Sequence, residues 1–188
     1  MQHVSTRPIV GALVLLLILT GVWFVYDRSS ERTEESGRGI IMKLSSTSFS
    51  HNGSIPAQFT CDGEDVNPPL AFEDVPQGAK SLALIIHDPD APRKEGWTHW
   101  ILWNIEPESE GILQHSVPQD ATEGITDFGS PGYGGPCPPS GTHHYNFTLY
   151  ALDVTLSLSP QAKKSNLEGA MKDHILAETT LTGLYSRE

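Results

Sequence analysis

Three stretches of the chain concentrate the side chains that can do chemistry. The first is His87-Asp88-Pro89-Asp90-Ala91-Pro92, where an apolar run ends in two carboxylates inside a turn stiffened by proline. The second is Trp97-Thr98-His99-Trp100. The third runs from Gly132-Tyr133-Gly134-Gly135-Pro136-Cys137-Pro138-Pro139-Ser140-Gly141 into Thr142-His143-His144-Tyr145. Two imidazoles, a phenol and glycine-rich backbone amides are all donors, and together they suit an anion such as phosphate. A carboxylate beside an imidazole fixes its tautomer, so a pocket of this kind is expected to bind its anion less well as pH rises through the histidine range.

A hydrolase using a Ser/His/Asp set among the same residues is the less favoured alternative. Ser140 precedes Gly-Thr-His but lies in a Pro/Gly loop with no G-x-S-x-G elbow. Cys61 stands among acidic neighbours in TCDGED, which disfavours a thiolate. Two histidines and an aspartate are metal-ligand types, but no close-spaced set such as H-x-x-x-H is present and adjacent strand residues point apart. Neither a metal nor another cofactor is expected.

The elements that must position these groups read as strands. Ser81–His87 is apolar on both parities, as in a strand covered on both faces. Trp97–Ile105 is aromatic and β-rich, and simple alternation puts Trp97, His99, Ile101 and Trp103 on one face. In the strand His144–Asp153 and its approach, His143, Tyr145, Phe147 and Leu149 share a face while His144 points the other way. His99 and His143 then each open an apolar face at a strand end, beside the Asp88/Asp90 turn. Shorter extended pieces are expected at Ile40–Ser45, Ile55–Thr60 and Leu70–Phe72, with a terminal strand at Ala177–Tyr185. No helical period occurs before residue 160. One helix is signalled by the capping box Ser165-Asn166-Leu167-Glu168, with Leu167, Ala170, Met171 and His174 on one face. With 17 Gly and 14 Pro, the pattern is a mainly β, antiparallel sandwich with a few peripheral helices.

Around this domain the chain divides simply. Residues 1–8 are a short flank. Residues 9–26 are an almost unbroken apolar run without charge, about 27 Å long as a helix and so near the thickness of a bilayer core. Trp23 and Tyr26 sit at its far end, where such rings favour the headgroup zone. Arg7 precedes the run, which leans toward a single-pass anchor with its N-terminus inside and the domain outside the cytoplasm. A cleaved signal peptide is the alternative; the run is long for one, and no small-x-small site follows. Residues 27–39 read as a polar, flexible stalk and 40–188 as one domain. Export makes a Cys61–Cys137 disulfide the expected state of the two cysteines. Against 12 Lys and Arg stand 23 Asp and Glu, a net charge of −11 that excludes a nucleic-acid partner.

DPDAP, the Trp-x-His of the next strand, GPCPPSGTHHY and TCDGEDVNPPLAF together resemble the phosphatidylethanolamine-binding protein family, also called Raf-kinase-inhibitor-like, in its bacterial and archaeal branch. The helix and ILAETTLTGLYSR resemble its C-terminal end, so the likeness spans about Ile40 to Arg187. It implies two antiparallel sheets and an anion pocket formed by Asp88, His99, His143 and Tyr145. Asp90, Pro92 and Trp97 would line or brace that pocket, and Gly134, Gly135, Pro136 and Pro138 would form its wall. The family's usual Arg between the pocket His and Tyr is His144 here, which puts ligand affinity in question more than fold. The implied function is non-enzymatic binding of a small phosphate- or carboxylate-bearing molecule, or of a phospholipid headgroup, at a membrane. The alternative is a protein-interaction inhibitor of a kinase or serine protease.

Overall fold

The strand apolar on both parities is the centre of the structure, a computed structural model that describes residues 41–187. In chain order its strands are β1 (Lys43–Ser45), β2 (Gly53–Ser54), β3 (Leu70–Glu73), β4 (Ser81–Asp88), β5 (Trp97–Ile105), β6 (Gly111–Ile112), β7 (Thr122–Glu123), β8 (Gly141–Leu152) and β9 (Ile175–Arg187). They form a six-stranded sheet ordered β2-β9-β8-β4-β5-β7 and a three-stranded sheet ordered β1-β3-β6. The pairings are antiparallel except β2 on β9, which is parallel and so departs from an all-antiparallel expectation. The flank 1–8, the apolar run 9–26 and the stalk 27–39 lie outside the described residues. Among the described residues no helix is long and apolar enough to cross a membrane.

β4 is covered on both faces, which explains its sequence. Leu82, Leu84 and Ile86 join a core cluster with Phe147 and Leu149 of β8 and with Leu44 and Phe72 from the smaller sheet. Ala83 and Ile85 join a second cluster with Ile101, Trp103, Leu167 and Met171. The last two belong to α1 (Lys164–Met171), the one α-helix among the described residues; a single 3-10 turn, Ala57–Phe59, accompanies it. That turn follows Pro56 and replaces the extended piece expected over Ile55–Thr60.

The helix starts one residue before Ser165, and Lys163 is its cap: the Lys163 N–H donates to Asn166 Oδ1 at 2.9 Å. The Ser-x-x-Glu box is therefore not the cap. The helix stops at Met171, because Asp173 takes a left-handed φ of 67°. His174 consequently leaves the helical face, and its Nδ1 donates to Asp153 Oδ1 at 2.8 Å.

One irregularity decides the site. Ile86 pairs with Trp100, but His87 pairs with Thr98, so His99 is an extra residue in β5, a β-bulge. Alternation breaks there. Trp97 pairs with Asp88, Trp100 joins the core cluster that holds Phe147 and Tyr145, and Ile101 and Trp103 face the helix. The expectation that His99 shares a face with Ile101 and Trp103 is thus incorrect. The bulge turns its ring toward Tyr145 instead, with ring centroids 5.2 Å apart.

Candidate functional site

Asp88 ends β4 and organises the turn behind it. Its Oδ1 accepts the N–H groups of Asp90 and Ala91, at 2.8 and 3.1 Å. Its Oδ2 accepts His143 Nδ1 at 2.7 Å, and both side chains are buried. A carboxylate only accepts, so His143 Nδ1 carries the proton and Nε2 is left for other partners. His99 has the same arrangement with a different acceptor: its Nδ1 donates to the Gly134 carbonyl at 2.6 Å. Burial lowers the pKa of His99, and the Gly134 carbonyl offsets part of that.

Between these rings lies Tyr145, wholly buried, with no hydrogen-bond partner for its hydroxyl among the described residues. Burial, with the Asp88 charge nearby, raises the phenol above its ordinary range and keeps it protonated. The Cys137 main chain approaches the phenol oxygen and offsets a little of this, without closing a hydrogen bond of good geometry. An unpaired buried hydroxyl is costly unless something else pairs with it.

Asp88, Pro92, Trp97, His99, His143 and Tyr145 border one cavity of about 350 Å³. Pro138, assigned to the wall by the resemblance, borders it as well. Asp90, Gly134, Gly135 and Pro136 do not. Asp90 turns outward, where its Oδ2 accepts both the N–H and Nδ1 of His144, at 2.8 and 2.7 Å; the His144 side chain is itself half-exposed. That hydrogen bonding holds the Asp90 carboxyl below its ordinary range. The other three brace the wall from behind. Gly134 exchanges two hydrogen bonds with His99, its N–H reaching the His99 carbonyl at 3.1 Å. The Gly135 N–H donates to Asp65 Oδ1 at 2.6 Å, and the Pro136 carbonyl accepts the Cys61 N–H at 3.2 Å. A Cβ on Gly135 would meet the Phe59 carbonyl at 2.5 Å, so only glycine lets the two loops lie this close.

Five lining residues are not assigned to the pocket by the sequence: Ala91, Arg93, Phe128, Cys137 and Pro139. The Arg93 guanidinium lies 5.0 Å from the Trp97 ring centroid, and its Nη1 donates to Asp127 Oδ1 at 3.2 Å. Phe128 meets both Trp97 and His99 edge-on, at 5.3 and 5.5 Å. Arg93 follows the DPDAP turn directly, which was a usable signal; Phe128 sits in an irregular loop and gave none. Cys137 is bonded to Cys61 across a separation of 76 residues, tying the loop after the 3-10 turn to the cavity wall.

The lining combines the polar side chains of Asp88, Arg93, His99, His143 and Tyr145 with three prolines, Ala91, Cys137 and the rings of Trp97 and Phe128. Such a mixed lining offers hydrogen-bond partners to a polar group and carbon surface to an apolar one.

Comparison with known proteins agrees with this architecture. Residues 45–186 match the family model described as phosphatidylethanolamine-binding protein. A UPF0098 protein of Methanothermobacter thermautotrophicus is 49% identical over 151 residues, covering 78% of this chain and 99% of that one. Among solved structures, a putative phosphatidylethanolamine-binding protein homologue, CT736 of Chlamydia trachomatis, superposes with a TM-score of 0.76 at 41% identity, covering 80% of this chain and all of that one. E. coli YbcL, described as a member of the mammalian PEBP family, gives a TM-score of 0.75 at 27% identity over 78% of this chain and 99% of its own. The fold, the order of the motifs and these relatives make this chain a member of the phosphatidylethanolamine-binding protein family.

Proposed function

We propose that the domain is a non-catalytic binding module of sandwich architecture whose cavity takes a small anion, a phosphate free or on a lipid headgroup. The observation that carries this reading is the buried Tyr145 hydroxyl, which lines the cavity without a hydrogen-bond partner among the described residues, beside an imidazole that Asp88 already orients. An anion oxygen is the natural partner for a donor held protonated there. The Asp88 charge works against an anion there, and the turn amides and the His143 Nδ1–H that its oxygens accept offset part of it. The apolar run 9–26 anchors this module to a membrane with the domain outside the cytoplasm; the Cys61–Cys137 disulfide favours that side.

Titration calorimetry of the purified full-length chain with inorganic phosphate tests the pocket. Tyr145→Phe keeps the packing and removes the donor, and is expected to weaken phosphate about tenfold. Equal affinity in the variant counts against the reading. Thiol trapping in intact cells, together with membrane fractionation, tests the location: the expected result is an oxidised, membrane-associated chain.

A further inference from the structure

We infer that the Cys61–Cys137 bridge is a modification site: a small-molecule thiol adds to Cys61, and Cys137 leaves as the thiolate. This inference stands apart from the anion reading and does not depend on it. Both cysteines are exposed residues, although the bridge ties together two loops that also hydrogen-bond to each other. An exposed disulfide is open to exchange, whereas a buried one is shielded from an attacking thiolate.

The two sulfurs are not equivalent. Arg187, at the end of β9, points its Nη1 at Cys137 Sγ from 3.6 Å. A guanidinium beside a sulfur stabilises the thiolate and makes that sulfur the better leaving group. Cys61 has the opposite surroundings. Asp62, Glu64 and Asp65 follow it closely in the chain, and carboxylates disfavour a thiolate. Asp62 also holds Arg187 in place: its Oδ1 accepts Nη2 at 3.0 Å, and its Oδ2 accepts Tyr185 Oη at 2.8 Å. The bridge is thus polarised, with Cys137 the better receiver of the electron pair.

The exchange follows from this polarity. The external thiol loses its proton to solvent, and its thiolate attacks Cys61 Sγ. A new sulfur–sulfur bond forms there as the Cys61–Cys137 bond breaks. The electron pair departs on Cys137 Sγ beside Arg187, and no net oxidation occurs. The Cys61 N–H on the Pro136 carbonyl and Tyr133 Oη on the Phe59 carbonyl keep the loops together. Cys137 therefore stays near the mixed disulfide and re-forms the bridge by expelling the thiol, which makes the modification reversible.

The test uses the oxidised full-length chain and 2-mercaptoethanol, quenched with N-ethylmaleimide, which caps the released thiol. Peptide mass spectrometry then reads which cysteine carries each label. Mercaptoethanol is expected on Cys61 in at least about tenfold excess over Cys137. Arg187→Met removes the charge at an exposed position; exchange should slow about threefold and the excess should fall toward unity, and Arg187→Lys should restore part of both. A purely structural role for Arg187 gives the reverse, since a looser loop exchanges faster. Mercaptoethanol mainly on Cys137, or equally on both, overturns the polarity, and an Arg187→Met chain that exchanges as fast as the parent overturns the role of Arg187. No exchange at a thiol concentration that opens the bridge in the guanidinium-unfolded chain overturns the site itself. Single variants read the same asymmetry without the bridge: Cys137 in Cys61→Ser should react with iodoacetamide about tenfold faster than Cys61 in Cys137→Ser, and equal rates count against the polarity.

Discussion

His99 holds two demands in one ring. Its Nδ1 is spent on the Gly134 carbonyl, so Nε2 can donate to an anion only when the ring takes up a second proton. Burial opposes that proton and places the folded pKa below the ordinary 6.5. The unfolded chain therefore binds the proton first as pH falls. Stability is complete above pH 6.5 and declines as pH drops through the window below it, toward the folded value. A bound anion favours the imidazolium and works the other way. Melting temperatures should thus fall on acidification below pH 6.5, and saturating phosphate should flatten the slope. His99→Asn should remove part of the slope. His87, lowered by burial and by Lys164 on the other face of β4, supplies the same sign and keeps the remainder. Phosphate affinity that is flat across this window would sever His99 from the ligand.

At the scale of elements, the bulge in β5 is what carries His99 to the pocket. Removing residue 99 leaves Trp97, Thr98 and Trp100 in continuous alternation against Asp88, His87 and Ile86, a register with no gap. Deletion of His99 is therefore expected to preserve the sheet and to cost about 2–3 kcal/mol, chiefly the two hydrogen bonds exchanged with Gly134, while phosphate binding falls below detection. Circular dichroism with denaturant titration checks both halves; a collapsed sheet signal would mean the bulge is needed for folding itself. This element also shows where reading the sequence stops. The strands Ser81–Asp88 and Trp97–Ile105 are visible from composition and period, since apolar content there is dictated by burial on both faces. A bulge leaves no mark in that pattern, because WTHWILW alternates acceptably in either register. The chemistry of the side chains singles out Asp88, His99, His143 and Tyr145, the resemblance alone adds Pro92, Trp97 and Pro138, and the parity that joins His99 to Ile101 fails. The helix cap failed for a related reason. Lys163 owes its role to Asn166 reaching back to its N–H, and a lysine carries no capping signal of its own.

Across the whole molecule, the cavity wall depends on two loops far apart in sequence. The loop after the 3-10 turn and the loop before β8 are joined by the Cys61–Cys137 disulfide, by Cys61 N–H on the Pro136 carbonyl, and by Tyr133 Oη on the Phe59 carbonyl at 2.8 Å. Asp62 adds Tyr185 Oη at 2.8 Å and Arg187 Nη2 at 3.0 Å from β9. An even cysteine count made the disulfide legible, but the hydrogen bonds around it were not, since they follow from how the two loops approach. Closing a loop of 76 residues restricts the unfolded chain by about 4–5 kcal/mol in the chain-entropy account. The Cys61→Ser, Cys137→Ser double variant is therefore expected to melt about 10 °C lower. Its loss of phosphate affinity should be much smaller, because the remaining hydrogen bonds still hold the Pro138–Pro139 wall against the cavity once the chain is folded. Calorimetric melting and phosphate titration on the same preparation separate the two effects. If affinity falls as steeply as stability, the disulfide shapes the folded pocket directly; if neither moves, the unfolded chain is already compact around these loops and the entropic account fails for this protein.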